Sequence, residues 1–144
     1  MLQKIIYGIQ ENGRETIDYN KILILKIKTR LSLDNVEFEH NIRNSKELNS
    51  LSWEIKLEAE KILQELVTNV LKHAKAGKVV LEIYIENSYL YINFKDDGQG
   101  FDRGENRDGF GLTNIYKRIE TVNGEIQMVT SRNKGAHFII VIPA

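Results

Sequence analysis

Two sets of residues have types and spacings that could carry chemistry. Glu65, Asn69, Lys72 and His73 fall at i, i+4, i+7 and i+8, which stacks a carboxylate, an amide, an ammonium and an imidazole along one edge of a helix. An oxygen donor suited to a hard cation and a cation suited to phosphate then sit one turn apart. The second set runs Asp96-Asp97-Gly98-Gln99-Gly100-Phe101, then a polar segment from Asp102 to Asp108, then Gly109-Phe110-Gly111-Leu112. Glycines reach positive φ and let a ligand approach main-chain N–H groups with no Cβ in the way. Clustered beside one carboxylate, they suit a polyphosphate and a base. The intervening segment has no apolar anchor and reads as a mobile lid, with Arg103 and Arg107 placed to close on phosphates. Each set also has a plainer reading. Glycine turns with Asp and Asn often only close a loop, and a Glu–Asn–Lys ladder can be a solvated helix flank.

The elements that must position these residues follow from apolar periodicity. Ser52 is the expected N-cap of a long helix reaching Ala74, with Ile55, Ala59, Ile62, Leu63, Leu66, Val70 and Ala74 on its core face. Gly77 suits the C-cap of that helix. Val79–Ile85 and Tyr89–Phe94 read as a hairpin joined at Glu86-Asn87-Ser88, delivering Asp96 to a strand end, where a rigid element hands over to a loop. Leu112–Val122 is expected to be helical, with Ile115 and Ile119 inward and Asn123-Gly124 as the stop. Ile126–Thr130 and Ala136–Ile142 form a second hairpin that Pro143 ends. Upstream, Val36–Ile42 alternates as a strand with His40 on its apolar side, the place of a core or edge histidine rather than a ligand. Ile22–Ile27 satisfies both helical and strand periods. Asp18 as N-cap and Lys26, Lys28 and Arg30 toward the end favour a helix over Asp18–Leu31. Leu2, Ile5, Ile6 and Ile9 make a short amphipathic stub over residues 1–17, stopping near Asn12-Gly13.

The 144 residues suit one compact domain with its own core. The 20 basic and 20 acidic residues cancel, so net charge argues for neither nucleic acid nor an anionic membrane surface. With no cysteine, disulfides, thiolate catalysis and Cys-based metal sites are excluded, as suits a reducing cytoplasm. No apolar run approaches membrane-spanning length, and the N-terminus lacks the layout of a signal peptide.

Taken together, Glu65-x-x-x-Asn69-x-x-Lys72-His73-Ala74, Asp96-x-Gly98-x-Gly100-Phe101 and Gly109-Phe110-Gly111-Leu112 resemble the N, G1 and G2 boxes of histidine-kinase catalytic domains. These domains belong to the GHKL superfamily with gyrase and MutL ATPases. The helix Asn114-Ile115-Tyr116-Lys117-Arg118 and a terminal Gly135-x-x-Phe138 extend the resemblance over roughly the last two thirds of the chain. Lys72-His73-Ala74 and Asp97-Gly98-Gln99-Gly100-Phe101 are most similar to the nitrate-sensor-like subclass, which also lacks a phenylalanine-rich F box.

The resemblance implies an α+β fold, the two-layer Bergerat sandwich, in which helices cover one face of a mixed, mostly antiparallel sheet. It also implies ATP and Mg²⁺. Asp96 would accept from the adenine amine, and Asn69 would give its oxygen to the metal. Lys72 and His73 would sit by the phosphates, Gly98, Gly100, Phe101 and Leu112 would complete the nucleotide site, and Gly109 and Gly111 would present backbone N–H groups. Glu65 would be the catalytic residue, orienting or polarising the metal's water or the attacking group. Residues 18–144 then form the ATP-binding catalytic domain, with 1–17 as the tail of an upstream dimerisation helix. The partners implied are the parent's own dimerisation domain, which carries the phosphoacceptor histidine, and a response regulator. Neither nucleic acid nor membrane contact is expected of this chain, a cytoplasmic domain of a parent anchored in the bacterial cytoplasmic membrane.

Two departures stand out. Ala136 follows Gly135 where the family usually has Thr, removing a hydroxyl near the adenine. And neither His40, His73 nor His137 has the setting of a phosphoacceptor, a helical histidine directly before an acidic residue. A free-standing serine kinase of the anti-sigma-factor type and a nucleotide-binding module without transfer chemistry are the alternatives.

Overall fold

The computed structural model describes residues 18–101 and 111–144. The stub at 1–17 lies outside the described residues, as do residues 102–110, which contain Gly109 and the expected lid with Arg103 and Arg107. Helix α1 (Tyr19–Leu33) settles the ambiguous apolar run. The Asp18 carboxylate accepts from the Asn20 N–H at 2.9 Å, and Leu23, Ile24, Ile27 and Leu31 are buried on one face. Strand β1 (Glu37–Ile42) follows, with Phe38 half-buried and His40 exposed at the sheet edge. A short helix α2 (Ser45–Asn49), not expected from the sequence, leads into α3 (Trp53–Asn69). Ser52 caps α3 by accepting from the Ile55 N–H at 3.3 Å.

The long helix does not stay α-helical to Ala74. After Asn69 it widens into a π turn (Val70–Ala74), which ends on Lys75 at φ 50°. Lys75, not Gly77, takes the left-handed closing position.

Strands β2 (Lys78–Glu86) and β3 (Tyr89–Asp96) form the expected hairpin, closed by Asn87 and Ser88, both at positive φ. That pair of conformations matches the twist of the flanking strands. Helix α4 (Leu112–Thr121) stops at Asn123, φ 57°, and β4 (Glu125–Thr130) and β5 (Ala136–Pro143) complete the chain. The sheet order is β1-β2-β3-β5-β4, with β1 parallel to β2 and every other pair antiparallel.

Register sorts the inner face of the sheet into rows. One is Ile83, Ile92, Ile140 and Ile126; the next is Leu81, Phe94, Phe138 and Met128. Against them pack Ile27 and Leu31 of α1, Ile62, Leu63, Leu66 and Val67 of α3, and Leu112, Ile115 and Ile119 of α4. A fully buried side chain of this size contributes about 1.5–3 kcal/mol of transfer free energy. The four of α3 therefore outweigh its N-cap, worth about 1 kcal/mol, and fix which edge of the helix faces the sheet. The last row of the same face reads Val79, Asp96, Ala136 and Thr130. There the core becomes polar.

Candidate functional site

Asp96 is the last residue of β3 and is 5% exposed, a carboxylate at the end of an otherwise apolar row. Its Oδ1 accepts from the Gly98 N–H at 2.8 Å. Burial pushes its pKa above the ordinary carboxylate value and the neighbouring Asp97 charge adds to this, while backbone hydrogen bonds from Gly98 and Ala136 pull it back. The carboxylate opens into a narrow cleft whose walls include Leu66, Asn69, His73, Phe101 and Ala136. Asp96 and Asn69 thus meet across the gap between sheet and helix layers, although they are far apart in sequence.

Asn69 is 7% exposed. Its side-chain Nδ2 is buried and has no hydrogen-bond partner among the described residues. A buried amide left unpaired is costly, and in a folded protein such a group marks a place where a further partner is expected. Turning the amide over about its last torsion would present the oxygen in the same place.

The other members of the helix edge disperse. His73 lines the cleft, half-buried, and its carbonyl accepts from the Gln99 side chain. Lys72 is exposed and does not line the cleft. The π turn is the reason: spacing that stacks i, i+4, i+7 and i+8 holds only while the helix keeps its α period, and here it widens after Asn69. Glu65 stands one turn back, beside Gly111, the N-cap of α4. It also borders a groove on the helix layer with Lys61, Thr68 and Arg118. Leu112 is buried in the core, and Phe101 is buried in the cleft wall.

At Gly98 and Gly100 the Cβ position is occupied by neighbouring backbone. A Cβ on Gly98 would stand 2.3 Å from the Ala74 carbonyl oxygen. Gly100, at φ +67°, would place one 2.1 Å from the Ser131 oxygen. At these positions the space that glycine leaves is filled by neighbouring backbone, a tighter constraint than ligand approach alone. Gly111, at φ +69°, would bring a Cβ to 2.8 Å from the Glu65 carboxylate.

Three residues to which the sequence assigned no role hold this turn. Asp97 Oδ1 accepts from the N–H groups of Gly77 and Lys78 at 2.8 and 2.9 Å, fastening the turn to the start of β2. The Gln99 N–H donates to the Ala74 oxygen at 2.7 Å, fastening it to the end of the π turn. Thr130 Oγ1 accepts from the Phe101 N–H at 3.0 Å and donates to the Gly135 oxygen at 2.7 Å. Asp97 had a signal in the doubled aspartate; Thr130 had only its place in the strand alternation.

Among the described residues no group of three or more His, Asp or Glu side chains is suited to hold a metal. The residues present still fit a magnesium nucleotide. Mg²⁺ is usually taken by one or two protein groups together with substrate phosphates rather than by an all-protein cage, and the buried amide of Asn69 is such a group. The buried carboxylate of Asp96 has acceptor capacity left for a directional contact. No helix of the described residues is long and apolar enough to cross a membrane.

Comparison with known proteins agrees with this geometry. The sequence model of the histidine kinase-, DNA gyrase B- and HSP90-like ATPases matches residues 55–144. The signal transduction histidine-protein kinase/phosphatase DegS of Brevibacillus brevis is 36% identical over 84 residues, covering 58% of this chain and 22% of that protein. The sensor histidine kinase ComP of Bacillus subtilis is 28% identical over 105 residues, 71% of this chain and 14% of that protein. The chain therefore spans about a fifth of the length of these curated relatives, or less. Among solved structures, the histidine kinase domain of a blue-light activated histidine kinase from Erythrobacter litoralis has a TM-score of 0.69 at 16% identity. That likeness covers 99% of this chain and 68% of the other, and it establishes the α+β fold.

Proposed function

Since the chain belongs to the histidine kinase-, DNA gyrase B- and HSP90-like ATPase family, we propose that it is the ATP-binding catalytic domain of a sensor histidine kinase. In this reading it directs the γ-phosphoryl group of ATP to a histidine on a separate dimerisation domain of its parent, for delivery to a response regulator. The names of the relatives support histidine as acceptor over serine. Residues 1–17 would lead in from that dimerisation domain, and a membrane anchor would lie elsewhere in the parent. The observation that carries the proposal is the pairing across one cleft of a buried carboxylate, Asp96, with a buried amide, Asn69, whose Nδ2 has no partner among the described residues.

The chain's own residues have distinct parts. Asp96 accepts from the exocyclic amine of adenine, a contact that reads the base because only a donor at that position satisfies the carboxylate. Asn69 offers its side-chain oxygen to Mg²⁺. His73 faces the phosphate side, and Lys72, exposed on the π turn beside it, adds positive charge there. Gly111 turns the chain at the N-terminus of α4 with Glu65 beside it, and in this reading Glu65 orients or polarises the attacking group. Mg-ATP supplies the transferable phosphoryl group and the charge neutralisation that the transfer needs.

Calorimetry separates these parts. Asp96→Asn should weaken adenosine, ADP and ATP alike, by about 1–3 kcal/mol for a hydrogen bond to a charged group. Asn69→Ala should weaken Mg-ATP much more than adenosine. Equal losses for every ligand in Asn69→Ala would remove the metal assignment, and unchanged ADP affinity in folded Asp96→Asn would remove the adenine assignment.

A further inference from the structure

We infer that Thr130 is a positioning residue for base recognition: its hydroxyl ties the Phe101 backbone to the Gly135 turn and so sets the two walls that flank Asp96. The inference rests on the reading of this cleft as the adenine site.

Thr130 ends β4 on the inner face, in the same row as Ala136 and Asp96. Its single oxygen accepts from the Phe101 N–H at 3.0 Å and donates to the Gly135 carbonyl at 2.7 Å. A hydroxyl has one proton to give, so donating it to Gly135 leaves the lone pairs to face Phe101. The two loops it joins have little freedom elsewhere. Gly135 sits at φ +74° with its Cβ position 2.1 Å from the Asp96 oxygen, so the turn is packed on the Asp96 peptide itself. Gly100 sits at φ +67°, with its Cβ position 2.9 Å from Thr130 Oγ1. Contact therefore runs from Asp96 through Gly135 to Thr130 and on to Phe101. Thr130 is the crosspiece that fixes Phe101, one wall of the cleft, relative to Ala136, the wall beside the carboxylate.

Position matters here because base recognition depends on a directional contact in a narrow space. Without the hydroxyl, the Phe101 N–H and the Gly135 carbonyl each lose this partner, and the tie that sets the aromatic wall against the Gly135 turn is broken. Valine has the shape of threonine and neither hydrogen bond. Serine keeps both bonds.

The test titrates adenosine, ADP and Mg-ATP into the parent chain, Thr130→Val, Thr130→Ser and Asp96→Asn, well below the melting temperature of each. Thr130→Val should weaken all three ligands by a common factor of about ten, the worth of one to two released hydrogen bonds, and Thr130→Ser should stay near the parent. General destabilisation would lower the melting temperature without moving affinity in the cold. Thr130→Ala removes the same hydroxyl with less bulk and carries the test if Thr130→Val does not fold. Parent-like adenosine affinity in Thr130→Val, beside weakened binding in Asp96→Asn, would overturn the role of Thr130 and leave the adenine site standing. Parent-like affinity in Asp96→Asn would overturn the adenine site, and this inference with it.

Discussion

A carboxylate at the end of an apolar strand row carries a cost in the folded chain that has a pH signature. Burial raises the pKa of Asp96, so the folded state holds its proton more tightly than the unfolded state does. The unfavourable contribution is therefore present above the folded pKa, shrinks as pH falls through it, and is gone below the ordinary carboxylate value. Asp96→Asn removes the charge and keeps an oxygen for the Gly98 N–H. It should melt at or above the parent temperature near about pH 7, with the gap closing toward about pH 4. A variant less stable than the parent near neutrality would show that the carboxylate stabilises the fold rather than burdening it for binding. That Asp96 and Asn69 face one cleft was legible in the sequence, because an acid closing a strand and an amide on a helix edge keep their places once those elements form. Lys72 was less so, since its place depended on a helical period that the π turn breaks. Thr130 was not, because its work lies in a hydrogen bond to a residue 29 positions away.

Where elements meet, two glycines twenty-one residues apart in number, Gly77 and Gly98, invite a comparison that composition alone would not suggest. A Cβ on Gly98 would enter the Ala74 backbone at 2.3 Å, at the joint between the π turn and the Asp97–Phe101 turn. On Gly77 it would meet only the Asp97 carboxylate, at 3.8 Å, an ordinary contact. Gly98→Ala should cost about 1–3 kcal/mol, as overpacking does, and should weaken nucleotide binding with it. Gly77→Ala should stay within about 0.5 kcal/mol of the parent. Denaturant unfolding of the two variants decides, and equal losses would mean that the joint can give way. The principal elements themselves follow from periodicity and caps: Asp18 for α1, Ser52 for α3, and the paired left-handed residues Asn87 and Ser88 for the β2–β3 hairpin. Helix α2, five residues long, is too short for periodicity to reveal. That Lys75 rather than Gly77 closes the helix shows only in the backbone, where Lys75 takes φ 50°.

At the scale of the molecule, one face of the sheet and the helices laid against it build the core of the described residues, and the polar end of that core holds the candidate site. In the proposed reading the chain holds the nucleotide side of a transfer reaction, and none of its three histidines has the setting of an acceptor. His40 is exposed on the edge strand, His73 lies in the π turn before Ala74, and His137 sits on the other face of the sheet with its ring 3.3 Å from the Asn93 amide oxygen. None stands on a helix before an acidic residue. Phosphoryl transfer depends on holding a nucleophile in line with the γ-phosphate, and in this account a separate helical domain supplies that nucleophile. A domain added in trans docks weakly, because the covalent linker no longer raises its effective concentration. The direct measurement incubates the chain with γ-labelled ATP and Mg²⁺, alone and with the parent's dimerisation domain, and maps acid-labile phosphate. The account predicts no label on the chain by itself and label on a histidine of the added domain; efficient labelling of His40, His73 or His137, or none on the added domain, would contradict it.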